Sequence, residues 1–363
     1  MNIEVRQRPA EVAVGVVDCD IHPVVRSWED FRPYLTNHWW NHLQTYGLRP
    51  RHGFAKGVPY PKITPLATRR DAWPEQGPPG SDLALMQRQH LDAYGVEMGV
   101  LNPLTPNGGN QNSDFSAALA SAANDWQVNA FTSKEPRLKA SIVVPYEDGE
   151  ASAAEIHRRA GKRDYVQVLV LSRTSEPFGK KRYWPIFEAA CAHDLPVAIH
   201  VFGYSGWPMT NSGWPSFYLE EGVAHPASCQ ASLASLIFEG VFERFPALKI
   251  VIVEAGFAWL PALAWRLDRN WARMRDEVPH VRRPPSEYLR KHLWLTTQPM
   301  EEAENRKHLA DVIGWIGADR LMFASDYPHW DFDDPSFAVP FFLPKDQQSQ
   351  IRSGNARTVY RTA

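Results

Sequence analysis

Cysteine is scarce in this chain. Cys19, Cys191 and Cys229 are the only three in 363 residues, odd in number and far apart. That leaves neither a disulfide framework nor a zinc-finger spacing, and fits reduced thiols in the cytoplasm. Long apolar runs are missing too. No stretch approaches the roughly 18 apolar residues that a membrane-spanning helix needs, so no membrane association is expected. The first ten residues carry Glu4, Arg6 and Arg8 without an apolar core, which does not read as a secretory signal. Lysine and arginine are not massed in runs, and the net charge is only −2, so no nucleic-acid partner is expected. A Gly-rich phosphate turn after the first apolar stretch is lacking, which counts against an open dinucleotide-binding sheet. Without a residue-level repeat there is also no solenoid.

What is present is a large apolar fraction, 44% of residues, together with 14 tryptophans and 30 prolines. Such a chain can bury an extensive core and carry long ordered loops. Short apolar strands alternate with helical stretches from end to end. Strands are predicted up to residue 22 and over 98–101, 138–144, 166–171, 197–200, 248–254, 293–297 and 320–325. Helices are predicted over 82–94, 115–131, 150–159, 184–193, 230–244, 259–275, 286–292 and 302–313, with shorter pieces at 28–33 and 37–45 and a helical tail at 345–360. Eight βα units in a row imply one (β/α)8 TIM barrel spanning 1–363 as a single domain. Two long insertions interrupt it, near 46–80 and 201–224. Phe54, Tyr60 and Trp73 would anchor the first. Tyr204, Trp207, Trp214, Phe217 and Tyr218 mark the second.

In such a barrel, function sits where the strands end. In the first strand Val12, Val14 and Val16 step at every second position into Asp18, Asp20 and His22, so all three polar groups would share one face. Ionisable groups on a core face are costly unless paired or bound to a metal. Later strands run straight into His200, Glu254 and Asp326. Two imidazoles and three carboxylates could hold one divalent transition metal with open positions, or two metals bridged by a carboxylate.

These residues resemble a known family, the amidohydrolase-related superfamily, in its aminocarboxymuconate-semialdehyde-decarboxylase-like branch. The first-strand motif there is Asp-x-His-x-His, against Asp18-Cys19-Asp20-Ile21-His22 here. Pro196 to His200 matches Pro-x-x-x-His. Met322 to His329 matches Met-Phe-Gly-Ser-Asp-Tyr-Pro-His, with Ala324 for glycine. Phe245-Pro246-Ala247-Leu248-Lys249 and Gly354-Asn355-Ala356 with Tyr360 are also similar to family text.

The resemblance implies His22, His200 and Asp326 as metal ligands. Two positions depart from it: Asp20 replaces a histidine, and Glu254 stands where relatives carry a catalytic histidine. Each change replaces a nitrogen donor with an anionic oxygen, which favours manganese or iron over zinc. The metal set expected is therefore Asp20, His22, His200, Glu254 and Asp326, holding one or two ions of iron, manganese or zinc. Glu254 would anchor a second ion, because the fourth strand offers no lysine for a carbamate bridge.

Asp18 is expected behind the ligands, orienting His22, or else as a buried partner for a backbone donor. Asp326, Glu254 and His329 are the expected catalytic groups. His225 is expected to line the pocket or the surface. His38, His42, His52, His90 and His193 are expected to be solvated. The leading expectation is hydrolysis of a small substrate with an apolar or aromatic body by metal-activated water. One alternative is non-oxidative decarboxylation, which the branch implies. The other is dinuclear iron oxygen chemistry, known for a small group of carboxylate-rich proteins that this chain also resembles. The expected partners are a small-molecule substrate and a homo-oligomer or related subunit, suggested by exposed loop tryptophans.

Overall fold

A computed structural model describes residues 15–48, 67–104, 112–202, 213 and 217–362. Eight parallel strands follow one another in sequence order: β1 (Val16–Ile21), β2 (Val96–Leu101), β3 (Leu138–Val143), β4 (Tyr165–Leu171), β5 (Val197–His200), β6 (Ile250–Val253), β7 (Leu293–Thr296) and β8 (Leu321–Met322). The ring is closed by backbone bonds between its first and last strands. Cys19 N–H donates to Phe323 O at 3.0 Å, His22 N–H to Tyr327 O at 2.7 Å and Asp326 N–H to Asp20 O at 3.1 Å. This is the TIM barrel that the alternation predicts.

β8 is shorter than expected. It pairs with β7 only through Leu321 and Met322. Phe323 then uses its carbonyl on Cys19 and its N–H on Ile351, so the chain leaves the β7 ladder to close the ring. The helix after β5 starts earlier than expected, at Glu221 instead of residue 230, and carries Pro226 in its early turns. It therefore claims the end of the 201–224 insertion.

Val17, Cys19, Met98, Val100, Val166, Ala198, Val251, Val253, Met322 and Ala324 pack together with Ala356, Val359 and Tyr360 of the last helix. Strand faces that turn inward supply this group, and the C-terminal helix (Asn355–Tyr360) plugs it. Outward faces pack against the surrounding helices in two larger groups.

The first insertion returns over the mouth of the barrel. Gly80, at φ +82°, passes so close to His22 that a Cβ there would lie 2.3 Å from its carbonyl oxygen. Thr68 forms an antiparallel bridge with His329. Arg69 N–H donates to Pro328 O, and Trp330 N–H to Ala67 O, both at 3.0 Å. Trp73 is 42% exposed and does not anchor the insertion as expected. Phe54, Tyr60, Tyr204, Trp207 and Trp214 lie outside the described residues, as do Val12, Val14 and His52. No helix among the described residues is long and apolar enough to cross a membrane.

Candidate metal centre

Period-two alternation would send Asp18, Asp20 and His22 the same way, but the strand breaks that pattern. Its register against β2 shifts between Asp18 and Ile21, a bulge-like irregularity. Asp20 and His22 turn to the centre, while Asp18 stays behind with different partners. Its Oδ2 accepts from His90 Nε2 and from Ser325 Oγ, both at 2.6 Å. Its Oδ1 accepts from the N–H groups of Ser325 at 2.9 Å and Asp20 at 3.1 Å. Asp18 therefore holds the segment that carries Asp326 and does not orient His22. His90 is fully buried, contrary to the expectation that it is solvated, and stacks on Tyr327 at 4.8 Å.

The orientation of His22 comes from β2 instead. Its Nδ1–H donates to the carbonyl of Asn102 at 2.7 Å, leaving Nε2 to face the centre. His200, the last residue of β5, donates from Nδ1 to Val201 O at 2.6 Å and presents Nε2 in the same way. Fixing one imidazole nitrogen on a carbonyl is the usual way a metal-binding histidine is held.

The other two groups leave their strands in strained backbone. Glu254 follows β6 at φ +60° and Asp326 follows β8 at φ +64°. Left-handed conformation at a non-glycine residue costs about 1–3 kcal/mol and tends to cluster at functional sites. The loop after Glu254 is tied down by Glu301, whose Oε1 accepts from the N–H groups of Phe257 and Ala258, both at 2.8 Å.

These side chains converge. His22 Nε2 lies 2.8 Å from Asp326 Oδ1 and 3.3 Å from Asp20 Oδ1. His200 Nε2 lies 3.0 Å from Glu254 Oε2 and 3.3 Å from Asp20 Oδ2. Donor atoms of Asp20, His22, His200 and Glu254 fall within 4.8 Å of one another, as do those of His22, Glu254, Asp326 and His329. Asp20 Oδ2, His22 Nε2, His200 Nε2 and Glu254 Oε2 are buried without a hydrogen-bond partner. Lone pairs aimed at one another in a dry site are stable only around a cation or a proton. The five expected residues thus fall into two overlapping groups that share His22 and Glu254, and these groups fit one or two divalent metal ions.

Without such an ion, protons would have to serve. Burial alone would lower the pKa of His22, but Asp20 and Glu254 override it and raise it to about 9. The same two carboxylates raise His200 to about 10 against its burial. Burial, with Glu254, Asp331 and Asp20 nearby, holds Asp326 well above the usual carboxylate range.

His329 stacks on His22 at 4.4 Å, and its Nδ1–H donates to Asp326 Oδ1 at 2.6 Å. Burial, and then the charge of His22, push its own pKa far down. His225 is half-buried near His200 and Arg173, and desolvation and these two groups lower its pKa to about 3. Gln298 and Asp331 were not foreseen. Gln298 Nε2 donates to Asp326 Oδ2 at 3.3 Å and to Asp331 Oδ2 at 3.2 Å. The one signal for them is position, at the end of β7 and in the loop just past Asp326.

A family profile described as Amidohydrolase matches residues 17–362. The chain belongs to the amidohydrolase family. Among curated relatives of this amidohydrolase, gamma-resorcylate decarboxylase of Polaromonas sp. JS666 is 25% identical over 313 residues, 80% of this chain and 90% of its own length. A crystal structure of 5-carboxyvanillate decarboxylase from Novosphingobium aromaticivorans, with manganese and 4-hydroxy-3-methoxy-5-nitrobenzoic acid, superimposes with a TM-score of 0.74 at 20% identity, covering 98% of each chain. The dihydroxybenzoic acid decarboxylase of Polaromonas sp. JS666, with manganese and 2-nitroresorcinol, gives 0.66 at 20% identity over 96% and 97%. The branch named from the motifs is borne out with the family.

Proposed function

We propose that this amidohydrolase is a metal-dependent, non-oxidative decarboxylase of a small aromatic acid that carries an oxygen substituent beside its carboxylate. The observation that carries this reading is the buried cradle of facing donor atoms at the barrel mouth, in a chain whose curated relatives are decarboxylases. The same relatives favour decarboxylation over the hydrolysis expected from the sequence. Asp20, His22, His200 and Asp326, with Glu254 beside them, would hold the ion, and their oxygen-rich set suits manganese. A bound ion supplies a Lewis acid that draws in the substrate carboxylate and its neighbouring oxygen.

The protein's own part is proton management. Asp326, whose carboxyl is raised well above the usual carboxylate range by burial and the nearby Glu254, Asp331 and Asp20, would hand a proton to the ring carbon that bears the carboxylate. The bond from that carbon to the carboxylate breaks, its electron pair stays on the ring, and CO2 leaves. Asp326 is left as a carboxylate and regains one proton from solvent, by way of Asp331 or His329. The bridge between Thr68 and His329 puts the 67–69 segment beside the mouth, where it would limit the access of bulk water to the reacting carbon.

A second reading, dinuclear iron oxygen chemistry, is favoured by one observation: two overlapping donor groups share His22 and Glu254. One experiment separates the two. Manganese-loaded protein is offered 2,6-dihydroxybenzoate and 5-carboxyvanillate in D2O, and both CO2 and ring deuteration are measured. Release of CO2 with one deuterium at the vacated carbon supports the decarboxylase. No CO2, together with oxygen consumption by the reduced, iron-loaded protein, refutes it.

A further inference from the structure

Asn102 follows the last residue of β2 and is fully buried. Each of its hydrogen-bonding groups is committed. The N–H donates to Ile21 O at 2.8 Å, and the carbonyl accepts from His22 Nδ1 at 2.7 Å. The side-chain Nδ2 donates to Asp20 Oδ1 at 2.8 Å and to Cys19 O at 3.1 Å. Oδ1 accepts from Ser141 Oγ at 2.7 Å and from Gln167 Nε2 at 2.9 Å. Gln167 is itself oriented by Tyr360, whose hydroxyl donates to its Oε1 at 3.0 Å. With two donors on Oδ1, the Asn102 amide has one orientation only, and its NH2 group faces Asp20.

We infer that Asn102 is a positioning residue that arms both candidate ligands of the first strand. Its amide holds Asp20 Oδ1, which lies 3.3 Å from His22 Nε2, and leaves Oδ2, 3.3 Å from His200 Nε2, as the carboxylate oxygen without a hydrogen-bond partner. Its carbonyl fixes the His22 tautomer, so Nε2 is the nitrogen presented. The inference rests on the metal reading above.

Asn102→Asp tests this, because it keeps the volume, the backbone carbonyl and an acceptor for Ser141 and Gln167 while removing the NH2 donor. Cobalt(II) is titrated into the wild type and into Asn102→Asp, each with and without Asp20→His, reading both the dissociation constant and the visible spectrum of the bound ion. The expected result is 10–100-fold weaker binding and an altered spectrum for Asn102→Asp alone. In the Asp20→His background the same change should cost less than about twofold. Equal losses in both backgrounds, or wild-type affinity and spectrum in Asn102→Asp, overturn the inference. If Asn102→Asp does not fold, Ser141→Ala replaces it, with a several-fold loss that disappears with Asp20→His. A wild type that takes up no cobalt refutes the metal reading itself, whereas cobalt uptake without coupling to Asp20 refutes only the role of Asn102.

Discussion

Ser325 donates its backbone N–H to one carboxylate oxygen of Asp18 and its hydroxyl to the other. The two residues belong to opposite ends of the chain, and Asp326 stands directly after the clamp in its left-handed conformation. Asp18 thus fastens the segment that carries Asp326, and its two oxygens serve four donors in a dry site. Truncating Asp18→Ala would strand those donors. An unfolding free energy lower by about 3 kcal/mol is expected, read from urea denaturation of the metal-free protein.

His200→Ala removes the only imidazole that β5 contributes. Metal analysis of this variant, purified beside the wild type, should find no retained ion, and turnover should vanish with it. Full occupancy in the variant would mean that the centre lies elsewhere.

Asp326→Asn keeps the shape of the side chain but cannot carry the transferred proton. Turnover of an aromatic acid should fall by about 10²–10⁴-fold, the range expected for loss of a general acid. The assay is CO2 release at saturating substrate, with metal content measured in parallel so that lost chemistry is separated from lost metal.

In the metal-free protein, stability should decline with alkali. The folded-state pKa values of His22 and His200 are raised to about 9 and about 10 from 6.5. Their protonated forms therefore stabilise the fold fully below about pH 6.5, and this contribution is lost as pH rises through 9 and 10. Thermal melts of the stripped protein across that range should fall progressively. Loading a metal at neutral pH should release protons, visible as buffer-dependent heat in calorimetry.

Gly256→Ala probes the turn behind Glu254. Gly256 sits at φ +58°, and a Cβ there would lie 2.6 Å from Glu301 Oε1. The substitution should cost about 1–3 kcal/mol in denaturant unfolding and weaken metal binding through Glu254.

The barrel was legible because short, mostly apolar strands alternate with helical stretches through the whole chain, and that pattern needs no tertiary context. Four strand ends that bring ionisable side chains together at the barrel mouth were legible for the same reason. That Asp18 accepts from backbone donors was one of its two legible roles; that it does not orient His22 was not, because alternation assumes an unbroken strand, and nothing in Val16 to His22 announces the register shift that parts it from Asp20. His90 was misread because a histidine in a helical stretch gives no hint that a carboxylate 72 residues away will pair with it. Asn102 was hidden in a loop-like run of Asn, Gly and Pro, where its type fits a turn as well as it fits a buried brace.

The closure of the ring has one more consequence. Between β1 and β8 the backbone supplies a few bonds and no continuous ladder, and Asp20 and Asp326 flank that seam. A metal held by the groups on both sides of that seam would act as a clasp as well as a reagent, tying together two ends of the polypeptide that are nearly the whole chain apart. Taking the ion away would unfasten the hoop at one place, leaving the staves of β2 to β7 standing.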